Sequence, residues 1–149
     1  MTDYDVDVFR WSQEQADALK QGDIKTLDWP HLAEEIESVG ISQKRELRNR
    51  LKLLYNHLLK WAYQPERRSS SWQVTINNQR DELADLLTDS PSLRSYLIEQ
   101  TTKAYARGRN DALIEVGLLQ LPTTIPWSLD QILDREFLPE DNSNTGSKV

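Results

Sequence analysis

The chain has 149 residues with a net charge of −6, so it is long enough for one ordinary domain with a buried core. It contains no cysteine, which excludes disulfides, thiolate metal ligands and a thiol nucleophile, and its acidic balance argues against a dedicated nucleic-acid binder. The first thirty residues carry no long apolar run, so we expect no signal or transit peptide and a cytoplasmic location.

The apolar spacing predicts a first helix over about residues 5–21, with Gly22 as its stop. The predicted apolar face of this helix consists of Val8, Phe9, Ala16 and Leu19. A second helix is predicted from the N-cap Asp28 to a stop at Gly40. Its apolar face consists of Trp29, Leu32, Ala33, Ile36 and Val39.

A third, longer helix is predicted to begin at the cap Ser42 and to run to about Tyr63. Pro65 ends it, because the residue before a proline is disfavoured in the helical region. Its apolar stripe consists of Leu47, Leu51, Leu54, Leu58 and Trp61. The segment that follows, residues 64–70, is predicted to be a loop.

The remaining helices are predicted from caps and prolines. Ser70 or Ser71 caps a fourth helix that extends to about Thr88, and Ser90 followed by Pro91 opens a fifth. Near the C-terminus, residues 128 and 131 have capping-box spacing for a short last helix.

Polar or small residues interrupt the faces of these later helices. In the fifth helix the apolar face rotates at Gly108, which predicts a bend or a change of packing partner there. Gln79 and Gln100 stand within the apolar faces of the fourth and fifth helices. We expect each to form an inter-helix hydrogen bond, and the alternative is a small polar cavity.

These elements predict an all-α fold. Short links between amphipathic helices favour a bundle of about five main helices plus a short terminal helix around one core. We expect residues 1–139 to form a single helical domain and residues 140–149 to form a disordered tail.

Familiar catalytic motifs are missing from the sequence. It contains no phosphate-binding loop, no GxGxxG, no GxSxG and no HExxH, and it has only two histidines. We therefore expect no cofactor and no metal site. No stretch approaches the roughly 20 apolar residues that a membrane-spanning helix needs, so no membrane partner is expected.

Three residues are weak candidates for catalysis. Glu35 and Glu37 border the apolar face of the second helix, where they form an acidic flank or, alternatively, serve as a metal ligand or a general base. Glu35 is also an i, i+4 neighbour of His31 and can pair with it. His57 borders the third helix and is either a hydrogen-bonded structural residue or a proton carrier.

Arginine and tryptophan side chains cluster after the third helix. Arg67 and Arg68 lie in the loop before Trp72, near a helix N-terminus, and this chemistry suits an anion or a macromolecular partner. Arg50, which lies on the same border as His57, is included as a fourth binding candidate. The alternative is that Arg67 and Arg68 tie the loop to acidic helices through ion pairs.

Several segments together resemble one known family. The sequences LDW at 27–29, LAEEIESVG at 32–40, HLLKW at 57–61, SW at 71–72 and SPSL at 90–93 are similar to the largely cyanobacterial family catalogued as domain of unknown function twenty-nine. The resemblance covers about residues 4–139. It implies a small all-helical protein, and it brings no activity, cofactor or partner.

Two functions remain open from the sequence. The leading hypothesis is a non-enzymatic interaction module that binds an unknown protein, or its own copy, through a charged face. It depends on the missing motifs and on a segregated charge of −7 in residues 1–40, +6 in 41–68 and −5 in 69–149. The alternative is a hydrolase or nuclease that uses Glu35 or Glu37 with His57, and an anion site at Arg67 and Arg68. A nucleic-acid partner is compatible with these arginines but is not favoured.

Overall fold

The fold is all-α, as the sequence predicts. The computed structural model describes residues 1–117 and 120–143, and this part of the chain contains helices and no strand. The α-helices are α1 (Val8–Gln21), α2 (Trp29–Tyr63), α3 (Ser70–Asp89), α4 (Leu97–Val116) and α5 (Leu129–Leu133). Three 3₁₀ turns join them, at Ile24–Thr26, Pro65–Arg67 and Pro91–Tyr96.

Contacts within the chain define two compact units, Met1–Ser42 and Gln43–Val149. The first unit contains α1, the first 3₁₀ turn and the start of α2. The second unit contains the rest of α2 and the helices that follow. The prediction that residues 1–139 form a single domain is not decided by this division and stays a prediction.

In the first unit, α1 ends before Gly22 as predicted, but it begins at Val8, three residues later than predicted, and it buries a different face. The Asp7 carboxylate accepts a hydrogen bond from the Arg10 backbone, and Gly22 ends the helix at φ 70°, where a side chain would be strained. The buried residues of α1 are Trp11, Gln15 and Ala18, whereas Val8, Phe9 and Leu19 of the predicted face are exposed. The prediction was wrong because it gave no weight to a buried glutamine. Gln15 binds backbone groups of Thr26 and Asp28 at 3.1 and 2.7 Å, so its burial leaves neither amide atom unpaired.

One helix replaces two predicted ones. The stop at Gly40 and the cap at Ser42 are both wrong, because α2 continues through them. The apolar pattern explains why. Leu47 follows Trp29 by 18 residues, which is five full turns, so the predicted stripes share one helical phase. A glycine alone does not end a helix whose apolar period continues beyond it.

The second unit is built around the buried stripe of α2. Four of the five residues of the predicted stripe are fully buried, namely Leu47, Leu51, Leu54 and Leu58. The fifth, Trp61, is partly buried against the same core. The same core includes side chains of α3, α4 and α5, among them Ile76, Leu83, Ala104, Ala112 and Ile132. This packing holds the polar residues discussed below in defined positions.

The starts of α3 and α4 differ in detail from the prediction. Ser69, rather than Ser70 or Ser71, caps α3 and accepts a hydrogen bond from the Trp72 backbone. Ser90 makes no side-chain cap, and a 3₁₀ turn precedes α4. The helix α4 runs unbroken through Gly108, where a Cβ atom would lie 2.7 Å from the Lys52 carbonyl oxygen of α2. The glycine therefore allows a close approach of these two helices.

Hydrogen bonds hold the end of the described chain against the other helices of the second unit. Ser128 and Gln131 form the predicted capping box of α5. The buried Arg80 guanidinium donates hydrogen bonds to the carbonyls of Ile132 and Phe137, each at 2.7 Å. Within the predicted tail, the Asn142 N–H donates to the Ala62 carbonyl at 2.7 Å, and residues 144–149 lie outside the described residues.

Candidate interaction site

The two loop arginines have different roles in the second unit. Arg68 Nε donates to the Trp61 carbonyl at 2.8 Å, and its guanidinium lies 5.0 Å from the centre of the Trp61 ring. Arg68 therefore holds the loop against the end of α2, through a backbone carbonyl and an aromatic ring rather than through the ion pair that was the alternative from the sequence. Arg67, in contrast, is exposed.

Arg67 lines an open groove of about 440 Å³. Gln64 and Glu66 lie beside it, and residues 114–117 at the end of α4 form the other wall. Gln64 is buried, and its amide Nε2 has no hydrogen-bond partner among the described residues. Of the predicted anion-binding pair, only Arg67 is thus placed where a ligand can reach it.

Arg50 is committed to contacts with its neighbours. Its guanidinium lies 3.7 Å from Glu46 and 3.8 Å from Glu82, and it donates to the Gln79 amide oxygen at 3.4 Å. The inter-helix hydrogen bond expected for Gln79 is confirmed. The one expected for Gln100 is wrong, because its amide nitrogen donates to the adjacent Glu99 side chain in the same helix.

Trp72 belongs to a polar network that the sequence analysis missed. Lys60 Nζ lies 5.3 Å from the centre of the Trp72 ring and 2.8 Å from a carboxylate oxygen of Glu115. The buried Asn56 amide donates to the other Glu115 oxygen and to the Gly108 carbonyl. These residues join α2, α3 and α4. The sequence signal for this network is that Lys60 follows Asn56 by four residues on a helix that is otherwise mostly apolar at this end.

Titration of this network is set by burial and by Lys60. Burial raises the pKa of Glu115, but the hydrogen bond and the positive charge of Lys60 outweigh it and bring the pKa below the usual range. The pKa of His57 is lowered, mainly because burial disfavours its charged form. His57 Nδ1 lies 2.9 Å from the Leu53 carbonyl, so His57 is hydrogen-bonded within its own helix.

The first unit contains a second polar cluster, centred on Asp28. Its carboxylate accepts from Trp11 Nε1 at 3.0 Å and lies 2.7 Å from His31 Nδ1. Tyr4 stacks on the His31 ring and donates a hydrogen bond to Glu35, which raises the pKa of Tyr4 to about 12. His31 thus pairs with Asp28 rather than with Glu35, which binds Tyr4.

Two of the groups required by the hydrolase hypothesis, Glu35 and His57, are hydrogen-bonded to their own neighbours. Glu35 and Glu37 belong to the first unit, and His57 belongs to the second. Glu35 binds Tyr4, Glu37 is exposed, and His57 contacts a backbone carbonyl. Within the described ranges, 1–117 and 120–143, histidine and carboxylate side chains form no group of three that could hold a metal ion.

The first unit exposes several large apolar side chains, and three of them lie at the start of α2. At the start of α2, Trp29, Ile36 and Val39 are 61%, 71% and 62% exposed. These side chains share one side of the helix with Ala33 and Gly40. We call these five residues the exposed face. Leu47 and Leu54, which follow Trp29 and Ile36 by five turns each, are fully buried.

The exposed face lies in a strongly acidic unit. Residues 1–42 contain ten acidic and three basic residues, a net charge of −7. Several of these carboxylates already accept hydrogen bonds, among them Glu14, Asp28 and Glu35. Glu37, on the border of the exposed face, is exposed and adds negative charge beside the apolar side chains.

The chain matches a known protein family. A family model described as "Domain of unknown function DUF29" matches residues 4–138, which is most of the chain. No curated protein matches, and no solved structure matches. Among the described helices, none combines the length and the apolar character that crossing a membrane requires.

Proposed function

We propose that this chain, which belongs to the DUF29 family, is a non-enzymatic helical module that binds another macromolecule. The description of the family assigns no activity. The binding surface is on the first unit, at the exposed face and its acidic border. The proposal includes the cytoplasmic location expected from the sequence, which cell fractionation tests.

One observation carries this proposal. Three large apolar side chains, Trp29, Ile36 and Val39, stand together in water on one side of α2. Single exposed apolar residues are ordinary, but a contiguous patch with a charged border is typical of a protein–protein interaction site. The tryptophan adds weight, because tryptophan is enriched among the residues that dominate binding energies.

The contacts of the three arginine candidates decide which of them remains available to bind a partner. Arg68 and Arg50 stabilise the fold, so removing them would confuse loss of binding with loss of structure. Arg67 remains a secondary candidate for an anionic group of a partner, because it is exposed beside the groove. The acidic first unit favours a protein partner over a nucleic acid.

Site-specific photo-crosslinking in the cells that encode the protein tests the proposal. A photoreactive phenylalanine analogue is placed at position 36, and in a matched control at position 98. Ile98 is an equally exposed helical isoleucine, with 79% exposure against 71% for Ile36. We expect one discrete adduct from position 36 and none from position 98.

The partner identified by mass spectrometry is then purified and its affinity measured. Burial of an isoleucine contributes about 1.5–3 kcal/mol, so Ile36→Gln should weaken binding about tenfold or more. Ile98→Gln should leave the affinity unchanged. The absence of an adduct from position 36, or an equal adduct from position 98, would refute the proposal.

A further inference from the structure

We propose that the partner presents a basic amphipathic helix to the exposed face, an inference that rests on the proposed function. It commits to one occupant, a helix of a different protein with lysine or arginine beside its apolar stripe. The arguments are the shape of the face, the opening at Gly40 and the charge of the first unit.

The face has the form of a helical ridge. Trp29, Ala33, Ile36 and Gly40 follow one another at intervals of four, three and four residues. This spacing keeps them on one side of α2 over three turns, about 16 Å. A second helix of three or four turns has the same length and periodicity, and helices commonly bind such ridges through side chains at matching intervals.

Gly40 leaves room for close approach. A Cβ atom built at this residue would have no heavy atom within 4 Å. Glycine inside a helix costs about 0.5–1 kcal/mol relative to alanine, and no contact within the described chain offsets that cost. A partner helix that crosses at Gly40 would lie close to the α2 backbone, with Ile36 and Val39 packed against its sides.

The charges favour a basic partner over a second copy. The first unit carries −7, so two copies that met through this face would bring like charges together. A helix with lysines or arginines beside its apolar stripe would instead lie next to Glu37. The same complementarity would increase the association rate and make it sensitive to salt.

Calorimetry with a designed peptide tests the inference on the full chain. The probe is an 18-residue helical peptide of leucine and lysine, and the control peptide replaces each lysine by glutamate. We expect the leucine–lysine peptide to bind and the leucine–glutamate peptide not to bind. Ile36→Gln should weaken binding about tenfold, Glu37→Gln about threefold, and the matched Ile98→Gln should have no effect.

Amide chemical shifts locate the bound peptide, and unchanged spectra away from residues 29–40 show that each variant is folded. Equal affinity of wild type and Ile36→Gln, or no binding of the leucine–lysine peptide, would overturn the inference. So would a dimer of the full chain that Ile36→Gln dissociates, because a second copy would then occupy the face. A cross-link from position 36 without peptide binding would end this inference and leave the proposed function standing.

Discussion

The same substitution at two helix-interior glycines should change stability in opposite directions. Gly40 in α2 is open to solvent, and an added Cβ atom would meet nothing within 4 Å. Gly108 in α4 is buried against α2, and its Cβ atom would lie 2.7 Å from the Lys52 carbonyl oxygen and 3.2 Å from the Asn56 nitrogen. Alanine therefore fits freely at Gly40 and displaces backbone at Gly108.

The magnitudes follow from these distances. Gly40→Ala should raise the free energy of unfolding by about 0.5–1 kcal/mol, because glycine loses more conformational freedom in a helix. Gly108→Ala has the same favourable effect on conformational entropy, but overpacking of a tight helix contact costs about 1–3 kcal/mol. Moving α4 outward also weakens the hydrogen bond from Asn56 to the Gly108 carbonyl, worth about 1 kcal/mol. The net effect at Gly108 should be a loss of about 1–3 kcal/mol.

Urea unfolding at pH 7, followed by far-UV circular dichroism, measures both effects. Hydrogen exchange of amides in α1 and α4 assigns each change to its unit. Wild-type or higher stability of Gly108→Ala would refute the close approach of α2 and α4. A loss at Gly40→Ala would refute the continuous, solvent-exposed helix at that position.

Three further predictions concern polar contacts. Glu115→Ala should lower the free energy of unfolding by about 1–3 kcal/mol in urea unfolding, because it leaves the buried Lys60 ammonium without its carboxylate. The double variant with Lys60→Met should regain part of that loss. Arg80→Met should increase hydrogen exchange in residues 129–137, because it removes the donors to the carbonyls there, whereas exchange in α1 should not change. The hydrogen bond with Asp28 raises the pKa of His31 in the folded protein. The contribution of this bond to stability is therefore fully present below the ordinary histidine pKa of about 6.5, and it is lost as the pH rises through the raised pKa of the folded protein. His31→Gln should remove this alkaline decline in first-unit stability, and an unchanged pH profile would contradict the His31–Asp28 pairing.

Most of the fold can be predicted from the sequence because burial follows periodicity. The stripe of Leu47, Leu51, Leu54 and Leu58, the stop at Gly22 and the capping box at Ser128 are local patterns, and each appears in the structure. The errors arise where a local signal competes with a longer one. Gly40 and Ser42 imitate a helix boundary, but the phase shared by residues on both sides outweighs them.

The candidate site was only partly predictable, because residue type does not reveal contacts. Arg67 and Arg68 are adjacent and chemically identical, yet only Arg68 reaches the Trp61 carbonyl and its ring. The same holds for His31, whose partner is three residues before it rather than four after it. Exposure of Trp29 and Ile36 was not predicted either, since an apolar stripe indicates burial and does not say against what.

The contacts of the candidate residues are the reason why we propose binding rather than catalysis. A catalytic site usually brings together titratable groups with perturbed pKa values in one cleft, at a geometry where a substrate can complete them. In this chain three of the polar candidates already have partners: Glu35 binds Tyr4, His57 binds the Leu53 carbonyl, and Arg68 binds the Trp61 carbonyl. The clearest unmet interaction in the first unit is instead hydrophobic, at the exposed face of α2. Burying that face would release free energy on association and would require no chemistry, which is the physical basis of the macromolecular partner that we propose.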